Sequence, residues 1–361
     1  MSAPRQKKRI DIANDGHFFA RLNAVRMIVV SFIGLGYAST MAIGPHAREW
    51  LNLFGYDPSL FGLQVLFFLS GWLAWRSLSQ GRPLLAFIRS RATRTLSWLA
   101  LYTFIVAAIL YPLLSDPVAP TAKTGAQLAL YFIETVTLIN PGGPMPGALD
   151  CAHYASLLQG SVWSLQWGAI AFAGLLGAYL IGLRHRLIYL GLFAVAVCAH
   201  VGVNAWSDRT GSDLLSSLIP GLRLAFPFLL GIVAYGWRDR LPRRSAGWLL
   251  IALITLGAAS LHYYGLRWSY AIEITAMTGW CALAMAGLHS RGRWLKHWPN
   301  LALPFFLGVW PTAQTVYAVA PDITVPALVA ISLGIALSLA ATFYALARIA
   351  RRPVHRRVQP A

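Results

Sequence analysis

Arg26 and Tyr37 stand eleven residues apart in one apolar stretch of a 361-residue chain. In a helix that spacing is about three turns and about 16.5 Å, so both side chains share a face. An arginine inside an apolar helix requires an anionic partner, a phosphate or a water-filled cavity, unless it snorkels to lipid headgroups. Arg91 and Arg94, with Arg89 close by, could hold a phosphate group, because guanidinium pairs phosphate bidentately. The plainer alternative is that they are charges that set membrane orientation. Glu273 lies inside another apolar run, and an intramembrane carboxylate points to function by default. His46, Glu134, Asp150, His153, His200 and His262 are the remaining ionisable candidates on the same side; most histidines of this kind are simply solvated or hydrogen-bonded.

The elements that must position these groups are apolar runs of about 20 residues, each long enough to cross a bilayer. Ten crossings fall at roughly 22–43, 59–79, 95–115, 160–183, 187–206, 217–237, 245–264, 269–289, 301–320 and 323–347. With the N-terminus inside, 24 of the 30 Lys and Arg occupy inside segments and only Arg48, Lys123, Arg209 and Arg267 lie outside. Arg26 and Arg223 fall within helices. This asymmetry follows the positive-inside rule and predicts two cytoplasmic termini. Gly125–Asn140 is apolar but short, and reading it as a crossing would spoil the charge pattern, so it is expected to be interfacial or re-entrant. A Gly/Pro-rich lid, residues 141–147, follows it and leads to Asp150, Cys151 and His153.

The net charge of +18 is therefore a membrane-orientation signal and does not call for nucleic acid. A mean hydropathy of +0.57 with 12% charged residues excludes an ordinary soluble domain. The polar stretch through Arg21 lacks the apolar core of a cleavable signal, so the first crossing is expected to be a retained anchor. Cys151, Cys198 and Cys281 have no metal-ligand spacing; no metal site is expected, and Cys198 and Cys281 read as small buried residues. Trp163, Trp167, Trp206 and Trp268 gather near the outer interface, where an aromatic belt competes with sugar stacking as the explanation. The expected organisation is an all-α membrane protein: a cytoplasmic segment 1–21, a transmembrane domain 22–350 of about ten helices with one interfacial or re-entrant helix, and a basic tail 351–361.

Four segments in order resemble the acyltransferase-3 family of bacterial integral-membrane O-acyltransferases. The first is 22–38, LNAVRMIVVSFIGLGYA, similar to the family's opening helix. The second is 61–73, FGLQVLFFLSGWL, close to "FFxLSGFL", followed by Phe87–Arg94 with its "RxxR" pair Arg91 and Arg94. The third is 160–166, GSVWSLQ, like the "GSLWSLxxE" start of a crossing, and the fourth is 226–231, FPFLLG, like "PFFLLG". The chain departs from the family at three polar positions. The family's Arg-x10-His signature reads Arg26-x10-Tyr37, the carboxylate of "GSLWSLxxE" falls on Gly168, and a late histidine before proline aligns with Trp310 ahead of Pro311.

The resemblance implies a multi-pass protein of the bacterial inner membrane with no bound cofactor. It would move acetyl or another short acyl group from cytoplasmic acyl-CoA to a hydroxyl of a lipid-linked or exported polysaccharide. Its partners would be acyl-CoA, the glycan, membrane lipid and polysaccharide assembly proteins. Arg26, Arg91 and Arg94 would bind the donor, and Trp163 and Glu273 would stand on the acceptor side. Tyr37 occupies the histidine position, but a phenol of unperturbed pKa about 10 is a poor base near neutrality. Asp150 and His153, directly before Gly160, are the expected replacements. The alternative is a non-catalytic relative that serves as scaffold or carrier in polysaccharide assembly.

Overall fold

The computed structural model describes residues 10–44, 49–53, 55–81, 83–115, 125–145, 147–149, 152–266, 269–290 and 298–350. Asp150, Cys151, His46 and Trp268 lie outside them. Eleven helices follow in chain order: α1 Ile10–Ile43, α2 Pro58–Ser79, α3 Leu84–Leu114, α4 Gly125–Val136, α5 Gly160–Leu180, α6 Arg186–Thr210, α7 Asp213–Gly236, α8 Ser245–Leu261, α9 Ser269–Leu288, α10 Ala302–Val319 and α11 Val325–Ala350. Among the described residues the only β features are two isolated bridges. The protein is an all-α membrane protein, and nine of the described helices are long and apolar enough to cross a bilayer.

The tenth expected crossing is present as α10, 18 residues without a charge, but it is less apolar than the other nine. Its Pro304, Pro311, Thr312, Gln314 and Thr315 reduce its hydropathy. Eleven consecutive members, from Pro304 to Gln314, are buried against neighbouring helices instead of facing outward. A helix enclosed by protein on every side needs no apolar coat, which is why hydropathy alone undervalues it. At 12 residues α4 spans about 18 Å, too short to cross. It buries Tyr131 and Thr135 and leaves Leu130 and Ile133 exposed, in keeping with a short peripheral helix.

Two boundaries differ from the sequence reading. The α1 helix begins at Ile10, well before residue 22, and α3 begins at Leu84, before residue 95. Polar helical turns extend each crossing, and hydropathy does not register them. Arg89, Arg91 and Arg94 consequently lie on the first turns of α3 rather than in a connecting turn. Cys281 is buried at 2% exposure, but Cys198 is exposed on the outside of the bundle, contrary to the expectation for it.

Two of the resemblance glycines have a structural explanation. A methyl group on Gly71 of α2 would overlap the Phe228 carbonyl oxygen, and one on Gly231 of α7 would overlap the Phe68 carbonyl oxygen. The α2–α7 crossing is a reciprocal small-residue contact that lets two backbones touch. Pro227 sits inside α7 one residue from Phe228 and removes a backbone donor at this crossing. Around this pair, α1 packs against α2, α9, α10 and α11, while α3 packs on α10 and α4.

Candidate functional site

Helix α1 carries polar chemistry at its middle and again two turns before its C-terminal end. At the middle Arg26 is half-buried, and Arg94 of α3 lies close enough for the two cations to act on each other. Among the described residues no carboxylate pairs with Arg26. Arg91, three residues before Arg94 on the same helical face, has its guanidinium 4.4 Å from the Phe172 ring and 4.7 Å from the Phe87 ring. The structure thus brings Arg26 and Arg94 together and turns Arg91 toward α5. Arg21 donates to the Ser290 carbonyl at 2.7 Å, which fixes the end of α9 at this same end of the bundle.

Toward the C-terminal end of α1, residues far apart in the chain converge on Tyr37. Its ring lies 5.2 Å from that of Trp310, edge to face, and 6.5 Å from Phe306. Trp310 in turn meets Tyr154 at 5.2 Å and donates from its indole to the Leu157 carbonyl at 2.8 Å. Trp163 lies near the phenol, but no hydrogen bond of good geometry forms, and the buried Tyr37 hydroxyl has no partner among the described residues. Gly168 faces Phe67, with open van der Waals space of 3.8 Å from a would-be methyl group. The positions aligned with the family's two histidines therefore touch, but as an aromatic pair rather than an acid–base pair.

The loop over this end is stitched down. Gln314 donates to the Tyr154 and Leu157 carbonyls at 3.0 and 3.2 Å, and Gln159 accepts from Thr103 at 3.2 Å and Tyr131 at 3.3 Å. Leu138, Leu149 and Ser156 hold left-handed φ of 60°, 57° and 64° without being glycine. Such strain is held by surrounding structure and concentrates at functional loops. His153 is exposed here, its ring 5.8 Å from Tyr317 and near Gly44 at the end of α1. Asp150, its expected companion, lies outside the described residues.

Glu49, which sequence reasoning passed over, sits in the same region. It is 5% exposed and lies flat over Gly36, where any methyl group would overlap the carboxylate. The Ser59 backbone N–H donates to its Oε2 at 3.1 Å, and the Ser59 hydroxyl donates to Oε1. The Glu49 N–H donates to Asp57 Oδ1 at 3.1 Å. Burial pushes the Glu49 carboxyl up to about 7, with nearby Asp57 adding to the rise and the Ser59 bonds opposing it. The available sequence signal was an acidic residue shortly before Asp57-Pro58, the start of a helix. Its meaning was hidden because the carboxylate serves the helix N-terminus from outside the usual capping position.

A second buried cluster unites residues that the sequence offered one at a time. Glu273 of α9 is fully buried, with Arg223 Nε of α7 3.0 Å from Oε1, His200 Nε2 of α6 3.2 Å from Oε2, and Gln64 Nε2 of α2 donating at 2.9 Å. The Arg223 Nε–H is not aligned on that oxygen, so the contact is an ion pair by distance. Asn204 Nδ2 lies 3.2 Å from His200 Nδ1 and donates to the His200 carbonyl at 2.7 Å. If Asn204 donates to Nδ1, Nε2 carries the ring proton that faces Glu273. Tyr270, one turn along α9, donates to Asp208 at 3.2 Å at the rim. Glu273 therefore joins four helices, and Trp163 belongs to the separate Tyr37 cluster.

A cavity of about 240 Å³ between α1, α2 and α9 is lined by Val25, Val29, Phe32, Phe61, Val65 and Trp280 among other apolar residues. It opens on a different face of α1 from Arg26 and Tyr37 and does not connect them. Among the described residues no group of three or more His, Cys, Asp or Glu could hold a metal ion. No protein-family model, curated protein or solved structure matches this chain.

Proposed function

We propose that this chain is an O-acyltransferase of the bacterial inner membrane, with both termini cytoplasmic. It would move acetyl or another short acyl group from cytoplasmic acyl-CoA to a hydroxyl of a lipid-linked or exported polysaccharide. The observation that carries this reading is the convergence at two levels of α1, three turns apart. Cations from α1 and α3 meet at Arg26, and residues from α1, α5, α10 and the 137–159 loop meet at Tyr37. The first level suits the phosphates of CoA, and the second offers aromatic faces and a buried carboxylate to a sugar hydroxyl.

A non-catalytic scaffold or carrier is the second reading, and one observation favours it. Tyr37 and Trp310 fill the space where the resemblance places histidines. The two readings separate with purified full-length protein and acetyl-CoA. Turnover above background, reduced by Arg26→Ala and Arg94→Ala, supports acyl transfer. Native protein that neither binds nor consumes acyl-CoA supports the scaffold. Mass spectrometry of surface glycans from a deletion strain would then identify the acyl group lost.

A further inference from the structure

Resting on the acyltransferase reading, we propose that Glu49 is the general base: held over Gly36 by the Ser59 N–H and hydroxyl beside Tyr37, its carboxylate takes the proton of the acceptor hydroxyl. The position is built for a carboxylate, not left over. Gly36 supplies the space, and the Ser59 donors fix both oxygens while leaving acceptor lone pairs for a further hydroxyl. Asp57, just before α2, anchors the Glu49 backbone, and the Ser39 hydroxyl of α1 accepts from the Trp50 N–H at 3.4 Å, so the backbone that carries the carboxylate is tied both to the start of α2 and to α1.

The charged and titratable groups acting on Glu49 are Asp57 from its own loop, Tyr37 from α1 and Tyr154 from the 137–159 loop. No described cation pairs with it; its chain neighbours His46 and Arg48 lie outside the described residues. A carboxylate that titrates near neutrality is matched to abstracting a proton at physiological pH. Tyr37 cannot do this, and its unpartnered hydroxyl shows no base of its own to activate it.

The step balances as follows. Glu49 accepts the hydroxyl proton as the hydroxyl oxygen bonds to the carbonyl carbon of the acyl thioester. The C–S bond breaks with its electron pair on sulfur, and the departing thiolate takes the proton from Glu49, giving the ester and free CoA thiol. The carboxylate is regenerated.

The experiment uses the full chain in detergent, acetyl-CoA as donor and octyl glucoside as the hydroxyl probe, with CoA thiol release followed against pH. Glu49→Gln should lower kcat by roughly 10²–10⁴-fold with little change in KM for acetyl-CoA, and Glu49→Asp should retain part of the rate. Ser59→Ala removes a bond to the charged form and should move the acidic limb of kcat/KM to higher pH. Asp57→Asn removes a repulsive charge and should move that limb to lower pH, while its Oδ1 still accepts the Glu49 N–H. Thermal midpoints of all four variants separate loss of fold from loss of chemistry. Wild-type turnover that survives Glu49→Gln, or an acidic limb left fixed by both Ser59→Ala and Asp57→Asn, would reduce Glu49 to a cap of α2 and overturn the proposal alone. A folded wild type with no transfer to the probe and no acetyl-CoA binding would overturn the acyltransferase reading and this inference with it.

Discussion

Arg223 and Glu273, 50 residues apart in sequence, form an ion pair of 3.0 Å inside the bundle, with the glutamate fully buried and the arginine side chain 29% exposed. Neither charge is tolerable alone in an apolar surround, and each is the reason the other is present. Arg223→Met should leave Glu273 with only Gln64 and His200 as partners, lowering stability by on the order of 3 kcal/mol. Adding Glu273→Gln to that variant removes the stranded charge and should recover much of the loss. Thermal midpoints in detergent decide it, and a single variant as stable as wild type would make the pair incidental.

The α2–α7 contact gives a sharper prediction, because the same substitution should have opposite signs at different glycines. Gly71→Ala and Gly231→Ala force a methyl group onto a carbonyl oxygen and should each destabilise by about 1–3 kcal/mol. Gly174→Ala in α5 meets nothing within 4 Å and should be neutral or gain up to about 1 kcal/mol from helix propensity. Equal midpoints for all three would mean that the crossing relaxes freely.

Tyr37→Phe deletes a buried hydroxyl that has no partner and should leave stability unchanged or raise it slightly, with acyl transfer retained. Tyr37→Ala removes the ring from Trp310 and Phe306 and should cost about 3–5 kcal/mol. A large loss of activity in Tyr37→Phe, with the fold intact, would assign the phenol a chemical role after all.

Glu49 also predicts how stability depends on pH. Its carboxyl is raised from the ordinary 4.5 to about 7 in the folded protein, so the folded state holds the proton more tightly than the unfolded state. The associated stability is fully present below about pH 4.5 and is lost as pH rises through about 7. A shift of that size corresponds to roughly 3 kcal/mol. Wild type should lose stability relative to Glu49→Gln between pH 5 and pH 8, whereas parallel pH profiles of the two would show that the carboxyl is not buried in the native protein.

Orientation is testable independently of chemistry. Reporter fusions after Ser115 and Gly265 should report the outside, and fusions after Gln80 and Arg244 the inside, as the arginine-rich end requires. A cytoplasmic signal from the 142–158 loop would contradict the arrangement in which His153 reaches the far end of α1 from Arg26.

The bundle was readable in the chain because apolar run length and flanking charge are local properties. All ten expected crossings appear as helices, and α10 is the weakest of them by hydropathy because it carries Gln314, Thr312 and two prolines. The polar extension of α3 that carries Arg91 and Arg94 left no trace in hydropathy, since helix continuing past the apolar run is set by propensity and packing. Glu273, His200 and Arg223 were each visible as unusual residues, yet nothing in a sequence states that α6, α7 and α9 bring them together. Glu49 was invisible for the opposite reason. A carboxylate in a polar loop is ordinary until Gly36 and Ser59 are seen closing around it.

The enclosure of α10 has a consequence for how the protein is made. A helix with few apolar side chains facing lipid gains little by entering it alone and more by docking against α1 and α11. Because α11 follows α10 in the chain, the full set of partners for α10 exists only once the last helix has been made.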